Sequence, residues 1–270
     1  MLEKIKETAS FIKEVIKDTP DFAIVLGSGL GKLKDEVEPI HVFEYKDIPN
    51  FPQTTVVGHG GKLIYGMLEG KKVLMMSGRF HYYEGHTMDK VTFPFRVFHL
   101  LGIKNLILSN ASGGVNPDFR VADIMIVKDH INMMPEHPLR GKNIDELGPR
   151  FVDMSEPYNR KMIEVAEQVA ERNSIKVHKG VYVALQGPTF ETPAEYGLVR
   201  YIGGDAVGMS TVPEVIVARH CGIKVFGMSI ITDLGLEDQP VEVSHEEVQV
   251  AANKAQPLMT EIMREIIKRS

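Results

Sequence analysis

The chain has 270 residues, 43% of them hydrophobic, which is enough for one large α/β domain or two small ones with a sizeable core. Its formal net charge of −5 comes without a basic cluster, which argues against nucleic acid as the main partner. The single cysteine excludes an internal disulfide and fits a reducing, cytoplasmic setting, while no segment approaches the roughly 18 apolar residues of a membrane span and the start, MLEKIKETAS, lacks the apolar run of a signal peptide.

Apolar residues at Leu2, Ile5, Ala9, Ile12 and Ile16 predict a helix over residues 2–17. The apolar run 22–26, closed by Gly27, predicts a buried strand entering a loop. Runs 62–68 and 72–76 flank Glu69-Gly70, a hairpin signal. Residues 91–101 read as helix despite Pro94, residues 105–109 and 123–127 as strands, 159–172 as helix and 180–185 as strand. Thr192-Pro193-Ala194-Glu195 has the form of a capping box with proline at the first helical position. Thr211-Val212-Pro213-Glu214 repeats that signature and opens a helix to Cys221; a strand follows over 224–231, and Ser244-His245-Glu246-Glu247 opens a C-terminal helix. Residues 132–153 gather irregular Pro, Gly and charge, a long insertion that reads as functional. The alternation predicts a single α/β domain over residues 1–270, with a mixed sheet flanked by helices.

The most informative stretch is MMSGRFHYYEG, residues 75–85, which places Arg79, His81 and Tyr83 at alternate positions past an apolar strand and a glycine. On extended chain all three point to one side. Arg is a planar fork for oxyanions, His handles protons near neutrality, and Tyr adds an aromatic body with a hydroxyl. The set suits a site holding phosphate beside a ring-bearing polar substrate; the plainer alternative is a polar strand end in solvent.

Gly27-Ser28-Gly29-Leu30-Gly31 follows the first strand, but Lys32 stands where a dinucleotide fingerprint needs its third glycine. The loop reads either as backbone donors for an anion, helped by the Ser28 hydroxyl, or as a tight turn needing positive φ. Val57-Gly58-His59-Gly60-Gly61 sets His59 where backbone can approach a ligand, or on a bare turn. His59, His81 and His86 share no metal-ligand spacing. Three strand ends, at Gly27, Gly78 and Asn110, are rich in glycine and hydroxyls, where ligands of open α/β sheets gather. Phe190 and Glu191 precede a helix: Glu191 is either a carboxylate favoured by the helix dipole or an acceptor for a heterocycle's N–H, with Phe190 on its ring. Ser210 either donates to a phosphate or caps its helix, and His245 either meets a ligand or sits on an exposed first turn. Cys221 beside His220 reads as a buried structural thiol, since adjacent helical residues do not face each other.

In order and spacing GSGLG, VVGHGG, GRFHYYEG, SNASGG, GPTFET, GMSTVPEVIVARHCG and ITDLG resemble the trimeric purine nucleoside phosphorylases, from about residue 24 to the C-terminal helix. The resemblance implies a single domain with a twisted mixed sheet. It implies cleavage of the purine N-glycosidic bond by inorganic phosphate, with no metal or organic cofactor. It assigns Ser28, His59, Arg79, His81, the Ala111 backbone and Ser210 to phosphate, Tyr83, Met209 and His245 to the ribose, and Phe190, Glu191, Val207, Thr232 and Asp233 to the base. His59, His81, Glu191 and Asp233 are the residues it puts nearest the chemistry, and Phe151 resembles an aromatic that reaches a neighbour's site in a homotrimer. Asp233 departs from relatives that prefer 6-oxopurines, which carry asparagine there; the methylthioadenosine phosphorylases carry aspartate. His245 and Glu191 speak against that branch, because a methylthio group wants an apolar neighbour and adenine has no N1–H. A protein that only binds a nucleoside or dinucleotide is the alternative of another class; Lys32 and the phosphate set weaken it.

Overall fold

The structure, a computed structural model, describes residues 1–27, 31–55, 60–235 and 245–270, with the side chains of residues 245–247 and 249 left out. Strand β1 (Phe22–Leu26) is apolar and buried at every position, as a run without alternation requires. It lies between β4 (Lys71–Ser77) and β5 (Asn105–Gly114) and runs parallel to both. β3 (Lys62–Leu68) returns into β4 through Glu69 and Gly70, both at positive φ, the two-residue turn their sequence signals. β2 (Glu38–Glu44) forms the outer edge on β3; its first five positions are exposed, and its charge and Pro39 conceal it from pattern reading.

Beyond β5 the sheet closes on itself. β5 pairs with β9 (Lys224–Leu234), β9 with β6 (Ile124–Asn132), β6 with β7 (Val177–Ala184), β7 with the short β8 (Ala206–Gly208), and β8 returns to β5. A closed ring of five strands therefore shares β5 with a flatter open wing. The mixed sheet is as expected, but its closure is not visible locally.

Closure also changes the strand ends. SNASGG does not leave the sheet as a loop: β5 runs through it to Gly114, because β8 and β9 supply ladder partners for its glycines. β9 likewise extends past residue 231, through Thr232 and Asp233. At this end the β5–β9 register slips, with Ser112 opposite Ile231 and Gly113 opposite Asp233. Thr232 is the extra residue of a bulge.

Helix α1 (Leu2–Ile16) buries Ile5, Ala9, Ile12 and Ile16, the stripe its spacing predicts. The helix expected over 91–101 is divided: α2 (Met88–Val91) ends at Thr92, and α3 (Phe93–Leu100) carries Pro94 in its first turn, where a missing N–H costs no hydrogen bond. Residues 133–159 hold no helix or strand before α4 (Arg160–Arg172), whose cap Asn159 accepts from the Met162 N–H. α5 (Pro193–Tyr201) starts on the expected reciprocal capping box between Thr192 and Glu195. α7 (His245–Arg269) closes the chain.

The start of α6 (Val212–His220) corrects the sequence reading. Thr211 lies at φ 68°, ψ −55° and makes no side-chain cap, while the Val212 N–H donates to the Ser210 carbonyl at 2.7 Å. This is a γ-turn of the strained, positive-φ kind, rare for a β-branched residue. Glu214 does not reach back to Thr211; it is buried against Arg79.

Candidate active site

A cavity of about 290 Å³ opens over the C-terminal parts of β5, β8 and β9 and the chain that follows β4. Its wall includes Arg79, His81, Tyr83, Ala111 and Ser210, and also Phe190, Glu191, Val207, Met209, Thr232 and Asp233. Residues more than 150 positions apart in sequence meet because β4, β5 and β9 run the same way and end on this side of the sheet, where the short antiparallel β8 pairs with the end of β5.

Arg79 is 1% exposed, and each of its guanidinium nitrogens donates to a protein acceptor. Nε and one terminal nitrogen take the two oxygens of Glu214 at 3.1 and 2.9 Å, and the other terminal nitrogen donates to the Ser109 carbonyl at 2.7 Å. The paired geometry fixes the guanidinium plane at the cavity wall, and two further N–H bonds lie on its terminal nitrogens. Gly27 makes room for this arrangement. A Cβ there would meet the Ser109 carbonyl oxygen at 2.6 Å and an Arg79 nitrogen at 3.2 Å, so close approach rather than positive φ requires the glycine.

His81 is 7% exposed, and burial lowers its pKa, so the ring is neutral. Its Nδ1 lies 3.2 Å from Glu84 Oε1. Burial opposes ionisation of Glu84, but hydrogen bonds from His81 and from the Thr55 N–H and hydroxyl outweigh it and hold the pKa down at about 2. An ionised carboxylate only accepts, so Nδ1 carries the proton and Nε2 is the acceptor of the neutral ring. The Tyr83 ring stacks on His81 with centroids 4.7 Å apart; burial pushes its phenol up to about 12, so its hydroxyl stays protonated.

The bulge in β9 governs the other part of the wall. In a regular strand Thr232 and Asp233 face opposite ways; here both line the cavity. The Thr232 hydroxyl donates to Asp233 Oδ1 at 2.9 Å, and the Tyr196 hydroxyl donates to Asp233 Oδ2 at 3.2 Å. A Cβ at Gly113 would lie 2.9 Å from Asp233 Oδ2, so the glycine of SNASGG gives the carboxyl its place. Burial raises the Asp233 pKa against those two hydrogen bonds. Glu191 is raised too, by burial and by the neighbouring Asp233. Two carboxyls sharing a poorly solvated corner do not both ionise readily.

The profile of the phosphorylase superfamily matches residues 21–268. Purine nucleoside phosphorylase 1 of Geobacillus stearothermophilus is 50% identical over 266 residues, 98% of this chain and 96% of that protein. The structure superposes on Schistosoma mansoni purine nucleoside phosphorylase in complex with inosine, with a TM-score of 0.94 at 43% identity, covering 99% of this chain and 96% of the other. The same relative in complex with adenosine gives a TM-score of 0.94 at 43% identity over 99% and 97% of the two chains. The chain belongs to the phosphorylase superfamily, among its purine nucleoside phosphorylases.

Not every residue expected in a purine nucleoside phosphorylase site is assembled here. Ser28 and His59 lie outside the described residues. His245 is the first residue of α7, and its side chain is outside them too, but Val248 one turn later reaches the cavity wall. Phe151 does not join this cavity. It stands 89% exposed in the irregular stretch, beside a separate depression that includes His130, His137 and Arg150. Cys221 is 5% exposed, and burial pushes its thiol up to about 11, so it is packing rather than a nucleophile. Three contributors escaped the sequence reading, and a fourth, Asn110, was legible only as the end of its strand. Glu214 was masked by its resemblance to a cap, and Glu84 sits three residues past His81 with nothing to mark the contact. Asn110 lines the wall while donating to the Thr211 hydroxyl at 2.8 Å, which braces the γ-turn carrying Ser210. Tyr196 lies on α5, four residues past Thr192, where it passes for a core aromatic.

Proposed function

We propose that this protein is a phosphate-dependent purine nucleoside phosphorylase that converts purine ribo- and deoxyribonucleosides to free base and pentose 1-phosphate. The observation that carries the reading is a single cavity walled both by Arg79, His81, Ala111 and Ser210 and by Phe190, Glu191 and Asp233. The first group suits an oxyanion and the second a polar aromatic ring. Tyr83 and Met209 lie in the same wall, where a pentose joins the two.

In this scheme Arg79 and the Ser210 hydroxyl donate to phosphate, and neutral His81 accepts the phosphate O–H proton on Nε2, leaving the dianion to approach C1′. Holding a nucleophile in line is worth about 7–11 kcal/mol of barrier in favourable systems. The phosphate charge stabilises the oxocarbenium-like sugar, and the departing purine gathers negative charge that a protonated Asp233 meets at N7. The chemistry asks for no metal or organic cofactor. Inosine mixed with the protein is expected to yield hypoxanthine and ribose 1-phosphate only when inorganic phosphate is present. Equal cleavage in phosphate-free buffer, giving free ribose, shows a hydrolase instead.

The working unit in this reading is a cytoplasmic homotrimer. An exposed phenylalanine in a loop of more than twenty irregular residues supports a neighbour's cavity as its place. Light scattering is expected to give three chains. Phe151→Ala is expected to raise the KM for nucleoside about tenfold or more, from the apolar burial of one large ring, with kcat changed less. A fully active monomer removes the idea.

A further inference from the structure

We infer that Asn110 and Thr211 are positioning residues for the phosphate, forming a one-way chain of hydrogen bonds that commits the Ser210 hydroxyl to donate to a phosphate oxygen. The inference rests on the proposed phosphorolysis and concerns how its anion is held.

The chain depends on the turn at Thr211. In extended backbone, residues 210 and 211 would point their side chains to opposite sides. With Thr211 at φ 68°, the two hydroxyl oxygens instead come within 3.1 Å of each other. That conformation is costly for a β-branched residue and persists only where the surroundings hold it. Here the Val212 N–H closes the turn on the Ser210 carbonyl at 2.7 Å. The Ser210 N–H donates to the buried Tyr182 hydroxyl at 3.4 Å, and the Asn110 amide donates to the Thr211 hydroxyl at 2.8 Å. Glycine would adopt the turn without strain but would bring no hydroxyl.

Burial gives the chain its direction. Thr211 is 0% exposed, so its hydroxyl proton needs an acceptor within the protein. Thr211 Oγ1 has two partners among the described residues, Asn110 Nδ2 and Ser210 Oγ. An amide nitrogen only donates. Thr211 therefore accepts from Asn110 and donates to Ser210 Oγ. Ser210 Oγ has no other partner among the described residues, and Ser210 lines the cavity, so its own proton turns to the cavity. Each donor polarises the next, which strengthens the last bond, the one to the anion. A serine fixed as a donor meets an oxygen that carries no proton. His81 has the opposite character, because its Nε2 accepts. Together they orient the phosphate, with a P–OH toward His81 and unprotonated oxygens toward Ser210 and Arg79.

The test measures kcat and separate KM values for phosphate and inosine. Thr211→Val keeps the branched shape and removes the hydroxyl. It is expected to raise the phosphate KM about tenfold or more, the loss of one charge-assisted hydrogen bond, and to leave the inosine KM within about twofold. Thr211→Ser keeps the hydroxyl and is expected to stay within about threefold of the parent, less than one hydrogen bond is worth. On a Ser210→Ala background, Thr211→Val is expected to add less than about twofold, because Thr211 acts through Ser210. If the valine variant does not fold, Asn110→Ala carries the test, with the phosphate KM expected to rise about threefold or more and the inosine KM unchanged. An unchanged phosphate KM, a parallel rise in both KM values, a serine variant as impaired as the valine one, or a full further effect on the Ser210→Ala background overturns the inference and makes Thr211 a packing residue. Each of these leaves phosphorolysis standing. Inosine cleavage that needs no phosphate overturns the phosphorolytic reading and the inference with it.

Discussion

Glu214→Ala is expected to destabilise the fold by about 3–5 kcal/mol and to abolish phosphate use. Arg79 and Glu214 are 1% and 2% exposed and share two hydrogen bonds. Removing one member strands a buried charge, which costs about 3–5 kcal/mol in comparable pairs. For a chain of this size that lowers Tm by about 6–20 °C, taking about 2–4 °C per kcal/mol. Thermal unfolding measures it. The Arg79→Ala variant suffers the same way, so its loss of activity alone does not assign Arg79 to phosphate. The pair Arg79→Met with Glu214→Leu separates the two roles, because replacing both charges by apolar groups is often neutral for stability. That double variant is expected to melt near the parent and still fail to use phosphate. Full phosphate affinity in a well-folded double variant shows that Arg79 only holds Glu214 and the strand ends together.

Asp233→Asn is expected to lower adenosine cleavage about tenfold to a hundredfold while inosine cleavage is kept or improved. An amide donates to N7 and O6 without first acquiring a proton, whereas the carboxyl must be protonated against the hydrogen bonds from Thr232 and Tyr196. The amide oxygen still accepts from Thr232, and when a single N–H serves the purine the second suits the Tyr196 oxygen, so the local network survives. Against adenosine the amide presents a donor to a donor, and an unmatched buried group costs about 1–3 kcal/mol. Parallel kcat/KM measurements on the two nucleosides check this. A variant that loses inosine and keeps adenosine shows that the role given to Asp233 is wrong.

The sequence by itself determined which residue types meet at the site, the alternation of helix and strand, and the family. Arg79, His81 and Tyr83 were legible because their spacing is local: a strand, a glycine and three polar residues two apart. β1 and α1 were legible because one is continuously apolar and the other keeps a helical stripe, signals that need no partner. The tertiary structure decided what depends on a partner. Closure of the five-strand ring gave the glycines of SNASGG their ladder and turned an expected loop into the end of β5. The β9 bulge put Thr232 and Asp233 on one face, which no alternation rule produces. Burial against Arg79 took Glu214 out of its expected cap, because a buried guanidinium with two donors aimed at the carboxylate outweighs a single neutral backbone N–H. Tyr196 became part of the base corner only when its hydroxyl reached Asp233 of β9, and sequence periodicity carries no information about a contact 37 residues away.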